Sequence, residues 1–220
     1  LRTLTVLLNA AKMAEKNHGV SLDIDRIDFD DKAVFESLGT GKTDGVFQLE
    51  SAGMKNFMKE LKPENLEDII AGIALYRPGP MDFIPAYIRG KNQSGEIAYD
   101  CPQLKPILEP TYGCIVYQEQ VMQIVRDLAG YTLGRSDLVR RAMSKKKQSV
   151  MEQERKNFVY GNPGEGIPGC VANGIHEQTA DKIFDEMIDF SAYAPGEVVD
   201  VFDDRPIVRT VDGSLLIVRY

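Results

Sequence analysis

The sequence predicts a mostly α-helical fold with small β elements, followed by a short β-hairpin-like C-terminal appendage. Three observations carry that expectation. Apolar residues recur at i, i+3, i+4 and i+7 in three separate stretches, two short apolar runs sit among turn-forming residues, and apolar/polar alternation replaces helical spacing after residue 193. The chain has 220 residues, enough to bury about 70% of its unfolded surface in a real core. Hydrophobic residues make up 43% and charged ones 27%, and no apolar run approaches the roughly 18 residues of a membrane-spanning helix. The three cysteines, Cys101, Cys114 and Cys170, are far apart, and only His18 and His176 could join them. Zinc is therefore not expected, and a reducing, cytoplasmic compartment is.

In chain order, "LRTLTVLLNAAKMAEKNHG" (1–19) reads as a helix. It has neither an initiator Met nor a small-residue cleavage site, and is expected to be cut from a longer chain. "LDIDRIDFDD" (22–31) holds Asp-x-Asp twice. On a strand such carboxylates share a face and can hold paired metals; as a connector, Asp30 and Asp31 would instead favour the start of the next helix. "AVFESL" (33–38) reads as that helix, with Gly39 or Gly41 as its C-terminal cap, and "GVFQL" (45–49) as a strand. Pro63 sits as a first-turn proline before a stripe of Leu66, Ile69, Ile70 and Ile73, which "RPGP" (77–80) ends. "GCIVY" (113–117) is the second strand candidate, and Val121, Ile124, Val125 and Leu128 form the second stripe. Ser136 is a plausible N-cap for the next helix; "GNPGEGIPG" (161–169) is a loop; Ala180, Ile183, Phe184 and Met187 form the last stripe. The segment 194–220 reads as hairpins around Asp212-Gly213.

Two stretches bear on chemistry. "GTGKTDG" (39–45) ends like a phosphate-binding Walker loop, but the position five before Gly41 is Glu36, where the motif needs glycine. Its flanks run helix to strand rather than strand to helix. Helix capping is the better account. The second is "SDLVRRAMSKKK" (136–147), within a segment that departs from the chain's net charge of −7. Between Leu133 and Tyr160 eight cations face three carboxylates. Helical spacing puts Leu138, Val139, Ala142 and Met143 on one face and Arg140, Arg141, Ser144 and Lys145 on the adjoining one. Arginine grips phosphate oxygens bidentately and lysine adds point charge, so the cationic face suits a triphosphate or a nucleic-acid backbone; a solvated surface would look the same.

Six stretches occur together and in order: "LRTLTV" (1–6), "GVFQLES" (45–51), "ALYRPGPM" (74–81), "PTYGCIVYQEQVMQI" (110–124), "LAGYTLGRSDLVRRAMSKKK" (128–147) and "IFDEMIDFSAY" (183–193). They resemble the α subunits of bacterial DNA polymerase III, the C-family replicative polymerases, over nearly all of residues 1–193, and their spacing resembles the fingers region. The resemblance implies that the chain helps bind the incoming dNTP over primer-template DNA, alongside other holoenzyme subunits. It assigns the triphosphate to Arg140 and Arg141, with Lys145, Lys146 and Lys147 adding positive potential. Arg77, Tyr117, Gln118 and Glu119 would line or support the same pocket, and Tyr193 would lie near the sugar and base. Mg2+ would be held by palm aspartates outside this chain, the third of them just upstream of Leu1. Asp23 and Asp25 would then not be catalytic, and the isolated fragment would not polymerise. A non-catalytic module using the 135–156 basic stripe on a nucleic-acid backbone is the alternative.

After Tyr193 the family continues into "FNKSH", and this chain does not. Split inteins interrupt some cyanobacterial members at that tyrosine, yet Ala194 offers no thiol or hydroxyl for the acyl shift that opens an intein. "PGEVVDV…DGSLLIV" has a weak likeness to the β C-terminal domain of formyltransferases. A foreign or rearranged tail is expected over 194–220, beside a fingers region over 1–193.

Overall fold

A computed structural model describes residues 2–77, 80–92, 97–145, 148–191, 198–202, 205–209 and 215–217, the last three segments as backbone. The described residues are mostly helical. Among the described residues ten α-helices run in chain order: Arg2–His18 (α1), Lys32–Gly39 (α2), Ala52–Leu61 (α3), Leu66–Leu75 (α4), Ile84–Asn92 (α5), Lys105–Leu108 (α6), Gln118–Ala129 (α7), Leu133–Lys145 (α8), Gln148–Tyr160 (α9) and Glu177–Phe190 (α10). Extended backbone at Val198–Phe202 (β1), Arg205–Arg209 (β2) and Leu215–Ile217 (β3) pairs antiparallel in the order β1-β2-β3. The expected turn at Asp212-Gly213 lies outside the described residues.

The chain forms two compact units, Leu1–Ile69 and Ile70–Tyr220. In the first, α2 packs on α3. Phe35, Leu49, Met54, Phe57, Met58 and Leu61 are buried there, while Leu4, Leu7 and Leu8 of α1 are exposed. Asp31 caps α2 as the sequence suggested, its carboxylate accepting from Ala33 N at 2.9 Å. At the far end Gly41 takes a left-handed φ of 68° and donates to Leu38 O. A Cβ there would lie 2.7 Å from Lys55 O, so the position admits only glycine without strain.

Several local expectations are corrected. "GVFQL" is a turn, not a strand: Val46 N donates to Thr43 O and Leu49 N to Val46 O, and the buried Thr43 hydroxyl donates to Leu49 O. "GCIVY" is likewise no strand. Its buried Cys114–Ile115–Val116 segment runs into α7, and the N–H groups of Val116 and Tyr117 go to the side chain of Gln120. Pro63 follows the left-handed cap Lys62 of α3 and precedes α4 by three positions, acting as a helix stop rather than a first-turn residue. The α4 stripe is also rotated. Ala71 and Leu75 are buried and Ile70 is 48% exposed, because Asp68 turns inward to accept from Glu64 N and Asn65 Oδ1 accepts from Asp68 N, fixing the helix start. Residues 22–31, by contrast, are the acidic connector that the sequence allowed rather than a metal-holding strand: Ile24–Arg26 is a 3-10 turn with Asp23 paired to Arg26.

The second unit has one continuous core. Val121, Ile124, Val125 and Leu128 of α7 meet Val139 and Met143 of α8, Phe158 and Val159 of α9, and Ala180, Ile183, Phe184 and Met187 of α10. The α7 and α10 stripes are thus buried whole, as their spacing predicted.

Candidate nucleotide site on helices α7 and α8

Helix α8 is aimed by its first turn. Thr132, not Ser136, caps it: Thr132 Oγ1 accepts from Arg135 N at 3.3 Å. Ser136 lies one turn inside, buried, with its hydroxyl donating back to Thr132 O at 2.9 Å. Val139 and Met143 are buried against the core, but Leu138, expected beside them, is 57% exposed. The buried face therefore runs Ser136–Val139–Met143, and residues 137, 138 and 141 point outward.

Helix α7 starts from a fully satisfied buried glutamine. Gln120 Oε1 accepts from Val116 N (2.8 Å) and Tyr117 N (2.9 Å), and Gln120 Nε2 donates to Ile107 O (3.1 Å) and Thr111 Oγ1 (2.7 Å). All four hydrogen-bonding positions of the amide are used, which locks the entry to α7 and fixes where Gln118, two residues earlier, stands.

There the two helices meet in polar contact. Arg140 donates from NH1 to Gln118 Oε1 at 3.0 Å, and from Nε (3.1 Å) and NH2 (2.8 Å) to Asp137 Oδ1. Arg141 NH2 lies 2.8 Å from Asp137 Oδ2. One carboxylate thus serves two guanidinium groups. Hydrogen bonds from Arg140, with the Arg141 charge beside it, hold the Asp137 carboxyl below the ordinary carboxylate range. The two arginines differ in openness: the Arg140 side chain is 24% exposed and that of Arg141 63%.

The structure thus brings together Gln118, Arg140 and Arg141 of the residues singled out in the sequence, and adds Asp137, whose i+3 and i+4 spacing to the arginines was a usable signal. Tyr117 is the N-cap of α7, and Glu119 is exposed in its first turn. Among the described residues no hydrogen bond or ion pair joins Arg77, which is exposed, to this cluster. Lys145 ends α8, with its side chain outside the described set; Lys146, Lys147 and Tyr193 lie outside the described residues.

The rest of the basic segment has a different use. Arg135 pairs with Glu154 (2.5 Å) and Glu165 (2.7 Å) and lies over the Tyr131 ring, 5.6 Å from its centroid. Burial works against its charge, and the two carboxylates outweigh that and hold its pKa up. Tyr131 donates to the other Glu154 oxygen at 3.3 Å, and burial, with Glu154 beside it, raises that phenol. Arg155 pairs with Asp181 and Asp185 and sits 5.0 Å from the Phe184 ring centroid. These two arginines tie helices of the core together.

Other candidate sites carry no such arrangement. In "GTGKTDG" Lys42 is exposed, while Thr43, which a Walker loop would turn to a metal, is buried on the carbonyl of Leu49. Among the described residues no group of three His, Cys, Asp or Glu side chains could hold a metal ion. Cys114 and Cys170 are buried thiols pushed up by that burial, to about 11 and about 12. Among the described residues no helix is long and apolar enough to cross a membrane.

The amino-acid sequence matches a known family. The description of the bacterial DNA polymerase III alpha subunit finger domain fits residues 3–165, which take in α1 through α9 and the whole Gln118–Arg141 cluster. The chain belongs to this finger-domain family. The DNA polymerase III subunit alpha of Staphylococcus aureus (strain COL) is 45% identical over 193 residues, and that of Halalkalibacterium halodurans is 47% identical over 193 residues. In both cases 88% of this chain is covered. The matched part of the chain spans only 17% of the length of either relative.

Proposed function

We propose that this finger domain serves a replicative DNA polymerase by binding the triphosphate of the incoming dNTP through Arg140 and Arg141. The observation that carries the reading is the arginine pair itself: within a polymerase finger domain, two adjacent guanidinium groups stand on a helix whose opposite face is fixed in the core. A phosphate chain would take bidentate, charge-assisted hydrogen bonds from them. Held there, the guanidinium charge screens negative charge building on the β- and γ-phosphates as the primer 3′-hydroxyl attacks the α-phosphorus. Lys145, Lys146 and Lys147 would add potential, Gln118 and Tyr117 would support the pocket, and Arg77, Glu119 and Tyr193 are further members of it in this reading. Primer-template DNA and other holoenzyme subunits are the macromolecular partners, and the cytoplasm is the compartment. The Mg2+ ions of such a polymerase do not fit the described carboxylates of this chain, and we assign them to aspartates outside it. The isolated chain accordingly extends no primer; template-directed incorporation by the purified protein overturns that assignment. We read 1–193 as the finger region and 194–220 as an appendage of separate, hairpin-like β architecture.

The experiment is equilibrium binding of dATP to the chain. Arg140→Ala and Arg141→Ala each weaken it about tenfold or more, the size of a lost charged hydrogen bond. The rival reading, a backbone-binding module over 135–156, is less well supported because Arg135 and Arg155 are each engaged by two carboxylates. It predicts indifference to free dATP and a log–log salt slope of about −0.9 for each phosphate neutralised.

A further inference from the structure

We propose that Asp137 is a positioning residue for nucleotide binding, holding Arg140 in one fixed orientation through Oδ1 while restraining Arg141 through Oδ2 until phosphate displaces it. The inference rests on the arginine-pair reading above and assigns the two arginines different roles within it.

The asymmetry is in the hydrogen bonds. Both Arg140 contacts to the carboxylate fall on the same oxygen, Oδ1, at 3.1 and 2.8 Å, and a third nitrogen of the same guanidinium reaches Gln118 on the neighbouring helix at 3.0 Å. A planar group held by three of its nitrogens, from two helices, has its plane and direction fixed. Gln118 is itself placed by the locked entry of α7, so the restraint traces back to the core. Among the described residues Arg141 pairs with Oδ2 at 2.8 Å, with most of its side chain in water. An exposed pair of this kind is weak and readily exchanged. A triphosphate bringing several anionic oxygens therefore competes with Asp137 for Arg141 and meets Arg140 already oriented, without the loss of rotamer freedom that an unrestrained arginine suffers on binding.

The two carboxylate oxygens can be separated by substitution. Asp137→Asn keeps an acceptor at Oδ1 for Arg140 and places an N–H donor opposite Arg141, whereas Asp137→Ala removes both. If Asp137 acted only as a negative charge near the phosphates, both changes would tighten dATP binding alike. Positioning separates them: the alanine change weakens binding and the asparagine change does not.

The test is the dissociation constant of dATP for the whole chain, with inorganic tripolyphosphate as a base-free probe, in Asp137→Ala, Asp137→Asn and each combined with Arg140→Ala. Asp137→Ala is expected to weaken binding about three- to tenfold, the equivalent of one hydrogen bond. Asp137→Asn is expected to bind as tightly as the parent or about threefold tighter, a rescue that a merely structural role does not give. In the Arg140→Ala background, Asp137→Ala is expected to weaken binding no further, because the group it positions is gone. Tightening by both single substitutions, or equal weakening by both, overturns the proposal while leaving the arginine pair in place. Indifference of dATP binding to Arg140→Ala and Arg141→Ala overturns the nucleotide reading and this inference with it. If Asp137→Ala does not fold, Asp137→Asn decides: binding at least as tight as the parent's is expected, and weakened binding overturns the proposal.

Discussion

Arg135 and Arg155, at the two ends of the basic segment, are held very differently from Arg140 and Arg141 in its middle. Each outer arginine faces two carboxylates and the ring of an aromatic residue, so its charge is spent inside the protein. The inner two share a single carboxylate. A count of cations in sequence treats all four alike. What separates them is where the partner comes from: the outer arginines are paired with carboxylates 19 to 30 residues along the chain and tie helices together, while the inner two share a carboxylate of their own helix.

The largest effect that should sharpen this contrast is at Glu154. It is buried and takes both Arg135 and Tyr131, so Glu154→Ala leaves a partly buried guanidinium with half its partners. A loss of about 3 kcal/mol in urea unfolding is expected. Arg155→Ala comes next, removing two exposed ion pairs and the cation–aromatic contact with Phe184, and should lose about 1–2 kcal/mol. Arg141→Ala is expected within about 0.5 kcal/mol of the parent in the same measurement while weakening dATP. Equal destabilisation by Arg141→Ala and Arg155→Ala would erase the distinction between the two regions. Smaller still is the effect of pH on the inner cluster. Asp137 has a lowered pKa when folded, so its contribution to stability is complete above the ordinary carboxylate range and is lost as pH falls through the lowered value. NMR signals of the Arg140 guanidinium should therefore hold steady from neutral pH to pH about 5 and move only in stronger acid; movement near neutrality would break the assignment of Asp137 as its partner.

The legible parts of this fold were those in which local periodicity and burial coincide. Val121–Leu128 and Ala180–Met187 each commit four apolar residues to one helical face, and the core takes all eight. The α4 stripe was misphased because a polar residue, Asp68, occupies the inward position for the sake of hydrogen bonds at the helix start. "GCIVY" looked like a strand because five apolar or small residues in a row carry no period. Its last two N–H groups satisfy themselves on a side chain, Gln120, that a strand reading leaves aside. At the candidate site the arginine pair was readable, and so in principle was Asp137 at helical spacing. The partners of Arg135 and Arg155 lie 19 to 30 residues further along, beyond any local pattern.

The loop after α9 closes on a crossing of backbones. Asn162 and Ile167 exchange hydrogen bonds at 2.8 and 3.0 Å, and Gly161 and Gly169 pass so near each other's neighbours that a Cβ on Gly161 would lie 2.6 Å from Ile167 O, and one on Gly169 2.6 Å from the Tyr160 carbonyl carbon. Both glycines have a left-handed φ, 87° and 86°. The knot is tight at its base, while its tip at Gly166 has open space around it. For protein engineering this makes the tip a mounting point: a fluorophore-bearing insertion next to Gly166 would ride on a rigid base, one residue from the Glu165 that grips Arg135, and report on helix α8 without a side chain having to enter the crossing.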